Sequence, residues 1–168
     1  IYFNDDVYVG FCLRGDVMEL SVADPNLGTA FYSLDQQPAK TPQITRQTDN
    51  CLICHATSST QGAPGHLVRS VFTDREGFPV LSAGSFRTDH ASPFKERWGG
   101  WYVTGDTGSQ AHLGNALMPD NRAPALPPLP GGVPKRLPPP LAASYLTPYS
   151  DAVAHLVFEH QLEAMNVL

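Results

Sequence analysis

Three cysteines, no long apolar run and no block of like charge leave this 168-residue chain without the marks of several protein classes. Three thiols cannot be fully paired, so a small secreted fold stapled by disulfides is a poor description. No stretch approaches eighteen uncharged apolar residues, and no membrane span is expected. The eleven Lys and Arg are scattered and the net charge is −5, which makes nucleic acid an unsuitable partner. An acidic surface would suit docking to a basic protein, but a charge this small is as common on proteins with no such partner.

What the chain has in quantity is proline and glycine, sixteen and fourteen residues, so loops are expected to be extensive. Starting at Ile1 with no charged-then-apolar leader, it reads as a mature or trimmed product. Ile1 to Phe3 and Val7 to Cys12 are rich in β-branched and aromatic residues. Arg14-Gly15-Asp16 reads as a turn. Val17 to Val22 and Thr29 to Leu34 alternate in part, and Ala23 to Gly28 between them carries hairpin turn chemistry. Residues 36–47 read as a polar connector. A second hairpin is expected from Leu67–Thr73 and Phe78–Ser82 about the turn Asp74-Arg75-Glu76-Gly77. Trp98 to Thr104 reads as a further strand whose glycines mark close approach of a backbone or ligand. Ten prolines between Pro119 and Pro148 predict an extended surface segment with no regular helix or central strand. From Ser150 onward, Val153, Leu156, Val157, His160, Ala164 and Val167 form an apolar stripe at helical spacing.

Against that background, residues 50–55 stand out: Asn-Cys-Leu-Ile-Cys-His. Composition alone would produce Cys-X-X-Cys-His about 0.002 times in a chain of this make-up, so the cluster is not noise. With Thr48 or Asp49 as the expected N-cap, Cys51, Cys54 and His55 share one face of a short helix. Two thiols there can reach the vinyl edge of a porphyrin while the imidazole turns under its iron, the pattern of covalent haem c attachment with His55 as proximal ligand. Structural zinc also takes thiolates three apart but wants a second pair of ligands at close spacing. Among His66, His90, His112, His155 and His160, only the last two are that close. A redox dithiol suits Cys-X-X-Cys at a helix start, yet it leaves His55 without a role and wants a preceding buried strand. Cys12, beside Val9, Phe11 and Leu13, is expected to be a buried, inert thiol. Covalent haem needs reduced thiols and a ligation system outside the cytoplasm, which predicts a periplasmic or extracellular location.

Longer stretches point the same way: N-D-D-V-Y-V-G-F-C-L-R-G-D-V-M-E-L, G-H-L-V-R-S-V-F, L-S-A-G-S-F-R-T-D-H-A-S-P-F-K-E-R-W-G-G-W-Y-V-T-G, H-L-G-N (112–115) and F-E-H-Q (158–161). Together they resemble a family of exported, single-haem cytochrome c-like proteins from environmental bacteria. The likeness spans most of the chain and implies a haem protein, with little about its reaction. It departs at Thr104-Gly105-Asp106-Thr107-Gly108 and at Met165-Asn166, where a histidine would be expected and none stands.

The second axial position stays open at this point. Met118, in Leu117-Met118-Pro119, resembles the distal methionine of small cytochromes; His160, in its apolar row, and His112, between two glycine-containing turns, are the other leading candidates, with His66 and His90 behind them. Trp98, Trp101 and Tyr102 are expected to wall the ring, and Arg69, Arg87 or Arg97 to pair with a propionate. Each has an ordinary alternative, in core packing or a solvated face.

The expectation is an α+β fold: one β-rich domain over residues 1–168 that binds haem c, with a short attachment helix, a proline-rich segment at 119–148 and a C-terminal helix. Electron transfer with redox protein partners is the expected function, and association with other haem subunits is conceivable. An open sixth position would instead favour a peroxidase-like enzyme or gas sensor, and a third reading makes the haem a structural staple.

Overall fold

The computed structural model describes residues 1–12, 15–74, 78–116, 118 and 134–167. The expected turns at 14–16 and 74–77, and the first half of the proline-rich segment, fall wholly or partly outside those residues. Seven strands, short helices and one long C-terminal helix make a sheet-rich α+β arrangement among them. The chain divides into two compact units, Ile1–Leu67 with Gln161–Leu168, and Val68–His160. No helix among the described residues is long and apolar enough to cross a membrane.

The first unit is built on a five-stranded antiparallel sheet in sequential order: β1 (Tyr2–Phe3), β2 (Val7–Phe11), β3 (Val17–Asp24), β4 (Gly28–Asp35) and β5 (Ile44–Gln47). Asp24 closes the β3–β4 turn by accepting the N–H groups of Asn26 and Leu27 at 2.8 and 3.0 Å, the local competition with regular structure that makes Asp a turn residue. Gly28 then takes φ +78°, a conformation costly for any residue with a Cβ. Register sets Tyr8 opposite Ser21 and Ser21 opposite Phe31. These three buried side chains therefore form one row across β2, β3 and β4. β5 replaces part of the expected connector. Its four residues carry almost no buried surface, so an edge strand of this kind leaves no hydrophobic alternation to read.

The second unit is held less by strands than by loops. β6 (Val68–Val71) pairs with β7 (Ser85–Thr88), whereas the expected partner, Phe78–Ser82, contributes only the isolated bridge Thr73–Pro79 and a 3-10 turn at Leu81–Ala83. Trp98–Thr104 is likewise not a strand. Trp98 adopts φ +67° and Gly100 φ +83°, and among the described residues the only ladder element there is a bridge from Thr104 to Asp151. Gly99 lies against β6: its N–H donates to Ser70 Oγ at 2.7 Å and its carbonyl accepts from Val71 at 2.9 Å. A Cβ at Gly99 would meet Ser70 Oγ and Val71 O at 2.8 Å, so the close approach read from the sequence is to backbone. Asn115 substitutes for a strand partner, bonding both the N–H and the C=O of Val103 at 2.8 Å.

Helix α1 (Leu52–His55) is a single turn. Helix α2 (Pro139–Ala142) lies within the segment expected to hold none; its prolines occupy the first helical positions, where a missing N–H costs nothing. Helix α3 (Ala152–Val167) begins at Asp151, whose carboxylate accepts the N–H of Val153 at 2.8 Å. The buried row of α3 is Ala152, Phe158, Glu159 and Leu162. Val153, Val157 and His160, assigned by periodicity to the apolar stripe, are exposed. The stripe was misplaced because Glu159, a charged residue, is among the most buried side chains of the helix.

Glu159 is buried because Arg97 meets it. Arg97 NH1 donates to Glu159 Oε2, Nε donates to Ser92 O at 2.8 Å and NH2 to His90 O at 3.1 Å. Burial holds the Glu159 carboxyl above its ordinary range, an effect that Arg97 and Trp98 only partly offset. Arg97→Met strands a carboxylate with no cation and should lower the unfolding free energy by about 3–5 kcal/mol at neutral pH. The raised folded pKa means this penalty applies above the unfolded value and fades as acid protonates the group. Urea titrations at pH 7 and pH 4 should show the difference from wild type shrinking at pH 4, and Arg97→Met/Glu159→Leu should recover most of it.

Candidate functional site

Cys51, Cys54 and His55 are brought together by one turn of backbone. Cys51 occupies the N-cap of α1 with helical φ and ψ, and no side chain caps it. Asp49, expected to cap through its side chain, serves through its main chain: its carbonyl accepts from Leu52 at 3.0 Å and from Ile53 at 3.3 Å. Cys51 is partly buried, Cys54 is exposed, and both are unpaired thiols. Desolvation, then the nearby charges of Glu19 and Cys54, push the Cys51 thiol above its ordinary pKa. Cys12 is also unpaired but exposed, not the buried thiol its apolar neighbours suggested; it lies one residue past the end of β2, beyond the pairing that buries Tyr8.

From α1 the chain loops back on itself. Gly65 N–H donates to the His55 carbonyl at 2.7 Å, and His55 Nδ1 lies 2.9 Å from the Gly65 carbonyl. A carbonyl only accepts, so Nδ1 carries a proton, which in the neutral tautomer leaves the lone pair on Nε2. Inside the loop Thr57 and Thr60 form a reciprocal capping box, and Gln61 and Gly62 turn the chain with positive φ. The sheet grips the far side: Thr29 N–H donates to Pro64 O at 3.0 Å, and a Cβ at Gly28 would meet that oxygen at 2.8 Å.

His66 follows directly. Its ring lies 5.2 Å from Tyr8, 5.6 Å from Phe31 and 6.2 Å from His55, and Phe31 also packs on His55 at 4.8 Å. The row Tyr8–Ser21–Phe31 is thus the shelf on which both imidazoles rest. His66 Nε2 is 2.7 Å from Ser21 Oγ, while Nδ1 is buried with no hydrogen-bond partner. Burial, reinforced by His55, lowers the His66 pKa to about 4, so the ring is neutral at physiological pH. Its backbone is clamped by Asn166, whose Oδ1 accepts from His66 N at 2.9 Å and whose Nδ2 donates to His66 O at 2.7 Å. A histidine at a loop end is usually solvated, which gives His66 a low place among the candidates; the cross-strand row that half-buries it depends on register.

The remaining candidates belong to the second unit. Met118 is 1% exposed and its N–H donates to Thr73 O at 2.8 Å. His112 Nδ1 accepts from Gly114 N–H at 3.0 Å, which puts the proton of the neutral ring on Nε2, a buried atom with no partner. His160 and His90 are exposed and meet edge to face at 5.4 Å. Trp98 is buried among Phe94, His112 and His155. The indole N–H of Trp101 is committed to Arg69 O at 2.9 Å, and Tyr102 is 40% exposed. Arg69 itself is exposed on β6, opposite Arg87. Arg97, a candidate for a propionate, is instead bound to Glu159. Ser150 Oγ sits 3.0 Å from His155 Nε2, yet both donate to Tyr102 O, so that nitrogen is not a free base. Among the described residues, no three His, Cys, Asp or Glu side chains converge as metal ligands.

No family model, curated protein sequence or solved structure matches the chain. The functional reading rests on the residues themselves.

The clamp on His66 can be tested by itself. A Cβ at Gly65 would collide with Asn166 Oδ1 and approach Thr60 Cβ to 3.2 Å. Gly65→Ala and Asn166→Ala should each cost about 1–3 kcal/mol by breaking the same two hydrogen bonds. Because the loss is shared, the double variant should cost well under the sum of the two, as measured by urea denaturation.

Proposed function

We propose that this chain is a c-type cytochrome, an exported electron carrier with one covalent haem on the turn Cys51–His55. The observation that carries the reading is the pairing of two free thiols three residues apart with an imidazole whose Nδ1 is held by a backbone carbonyl. A metal-binding histidine characteristically donates its other ring N–H to a carbonyl or carboxylate, which fixes tautomer and orientation. His55 does so through Gly65, and its Nε2 lone pair is left for iron.

The residues fit the group chemically. Each cysteine S–H would add across one vinyl C=C, sulfur to one carbon and hydrogen to the other, with no atom lost and no net oxidation. Such addition needs reduced thiols, and neither Cys51 nor Cys54 is paired in a disulfide. The bound haem supplies a one-electron couple between ferric and ferrous iron. The chain holds the macrocycle edge through two sulfurs, positions His55, and sets polarity through Phe31 and the sheet face behind it. Ile53, 75% exposed between the two cysteines, adds apolar surface at the attachment edge.

The competing chemistries fare worse on the same atoms. A redox dithiol wants a depressed thiol pKa at its helix start, and that of Cys51 is raised. Structural zinc wants four converging donors, and no such set is present among the described residues. A redox protein is the proposed partner, with other haem subunits as a second class, and the periplasm or cell exterior is the proposed location, because thiols must meet haem where ligation occurs.

Expression in cells that mature cytochromes c should yield a red protein whose visible bands sharpen reversibly on reduction. Cys51→Ala and Cys54→Ala should each leave one vinyl unsaturated and move the reduced α band to longer wavelength. Purified protein carrying zinc, with no Soret band, would overturn the reading.

A further inference from the structure

We propose that His90 and His160 form a two-imidazole surface site for a divalent late transition-metal ion, with copper(II) its tightest occupant. The site lies wholly within the second unit and uses neither the thiols nor His55.

The first observation is that these two rings are free and near each other. Two imidazoles bound to one ion through nitrogen have ring centres about 4.5 Å apart at a right angle and about 5 Å apart at the tetrahedral angle. His90 and His160 have ring centres 5.4 Å apart, and a small turn of either exposed side chain closes the difference. Among the described residues no hydrogen bond engages a nitrogen of either ring, so each can offer a lone pair without losing a partner. The other histidines each have a ring nitrogen committed: His55 to Gly65 O, His66 to Ser21 Oγ, His112 to Gly114 N–H and His155 to Tyr102 O.

The second observation is that the backbones carrying the two rings are tied together. His90 stands in a turn where Asp89 N–H donates to Ser92 Oγ at 3.0 Å and the Asp89 carboxylate accepts from Ala91 N–H at 2.8 Å. His160 follows Glu159 in α3. Buried Arg97 joins the turn to the helix, donating to His90 O at 3.1 Å, to Ser92 O at 2.8 Å and to Glu159 Oε2. A buried ion pair returns little net stability for its desolvation. Here it holds two ligand-bearing backbones at a set separation, which lowers the entropy lost when an ion joins the rings.

The third observation is the chemistry of the donors. Imidazole nitrogen suits copper, nickel and zinc, and affinity among divalent ions at such a site peaks at copper. The Asp89 carboxylate is near enough to His90 for their charges to interact, a field that favours a cation. No third His, Cys, Asp or Glu side chain joins the pair among the described residues. Water therefore completes the coordination, and the ion is one that exchanges rather than one that staples the fold.

The test is a copper(II) titration of the purified chain near neutral pH, with free thiols alkylated so that sulfur does not compete, followed by calorimetry and electron paramagnetic resonance. The expected result is one ion per chain, a copper signal split by two imidazole nitrogens, and weaker binding of zinc. Loss of a ligand should weaken binding at least as much as loss of an outer-shell partner does, about tenfold, in both His90→Ala and His160→Ala. The double variant should bind little worse than either single one, because the two act together. Both side chains are exposed, so the metal-free urea midpoints of these variants should match wild type, which separates lost binding from lost fold. No saturable copper binding, a signal from a single nitrogen, or undiminished affinity in either single variant overturns the site. Copper binding is read whether or not haem is attached, so these outcomes are distinct from failure of the cytochrome reading.

Discussion

Two hydrogen bonds between His55 and Gly65 constrain everything else at this site. One closes the loop through the backbone, the other fixes which ring nitrogen bears the proton. Neither survives if Gly65 moves, and Gly65 cannot carry a side chain because Asn166 occupies the space a Cβ would need. Asn166 in turn holds the next residue, His66. A change at any of these four residues is therefore felt by the other three, which is how a single helical turn with no buried residue of its own is given a defined geometry.

The sheet supplies the rigid side of that arrangement. Alternation along β2, β3 and β4 puts Tyr8, Ser21 and Phe31 in one row. Each touches an imidazole with a different chemistry: a phenol ring, a hydroxyl, a phenyl ring. A dry shelf with one hydroxyl disfavours a charged imidazole at His66. The second unit solves a different problem, burying an Arg–Glu pair and an indole with few strands, and it does so with side-chain hydrogen bonds to backbone.

Much of the first unit was legible. Turn residues at 23–28 and β-rich flanks marked the β3–β4 hairpin, and a capping residue ahead of Cys51 marked the single helical turn of α1. The C-terminal helix was legible in extent but not in orientation. Glu159 looks like a solvent residue until Arg97, sixty-two positions earlier, is known to face it. Trp98–Thr104 reads as a strand by composition, yet two positive φ angles within its first three residues break it, and a positive φ at a tryptophan has no sequence signal. His66 was the other blind spot, because its burial depends on which residues of three strands lie opposite one another, information that resides in register.

The most direct check on the central claim is the intact mass of the chain, purified from cells able to attach haem and then fully denatured. The account predicts the polypeptide plus one haem, with the addition confined to the peptide that contains Cys51 and Cys54. A mass equal to the polypeptide alone would contradict it.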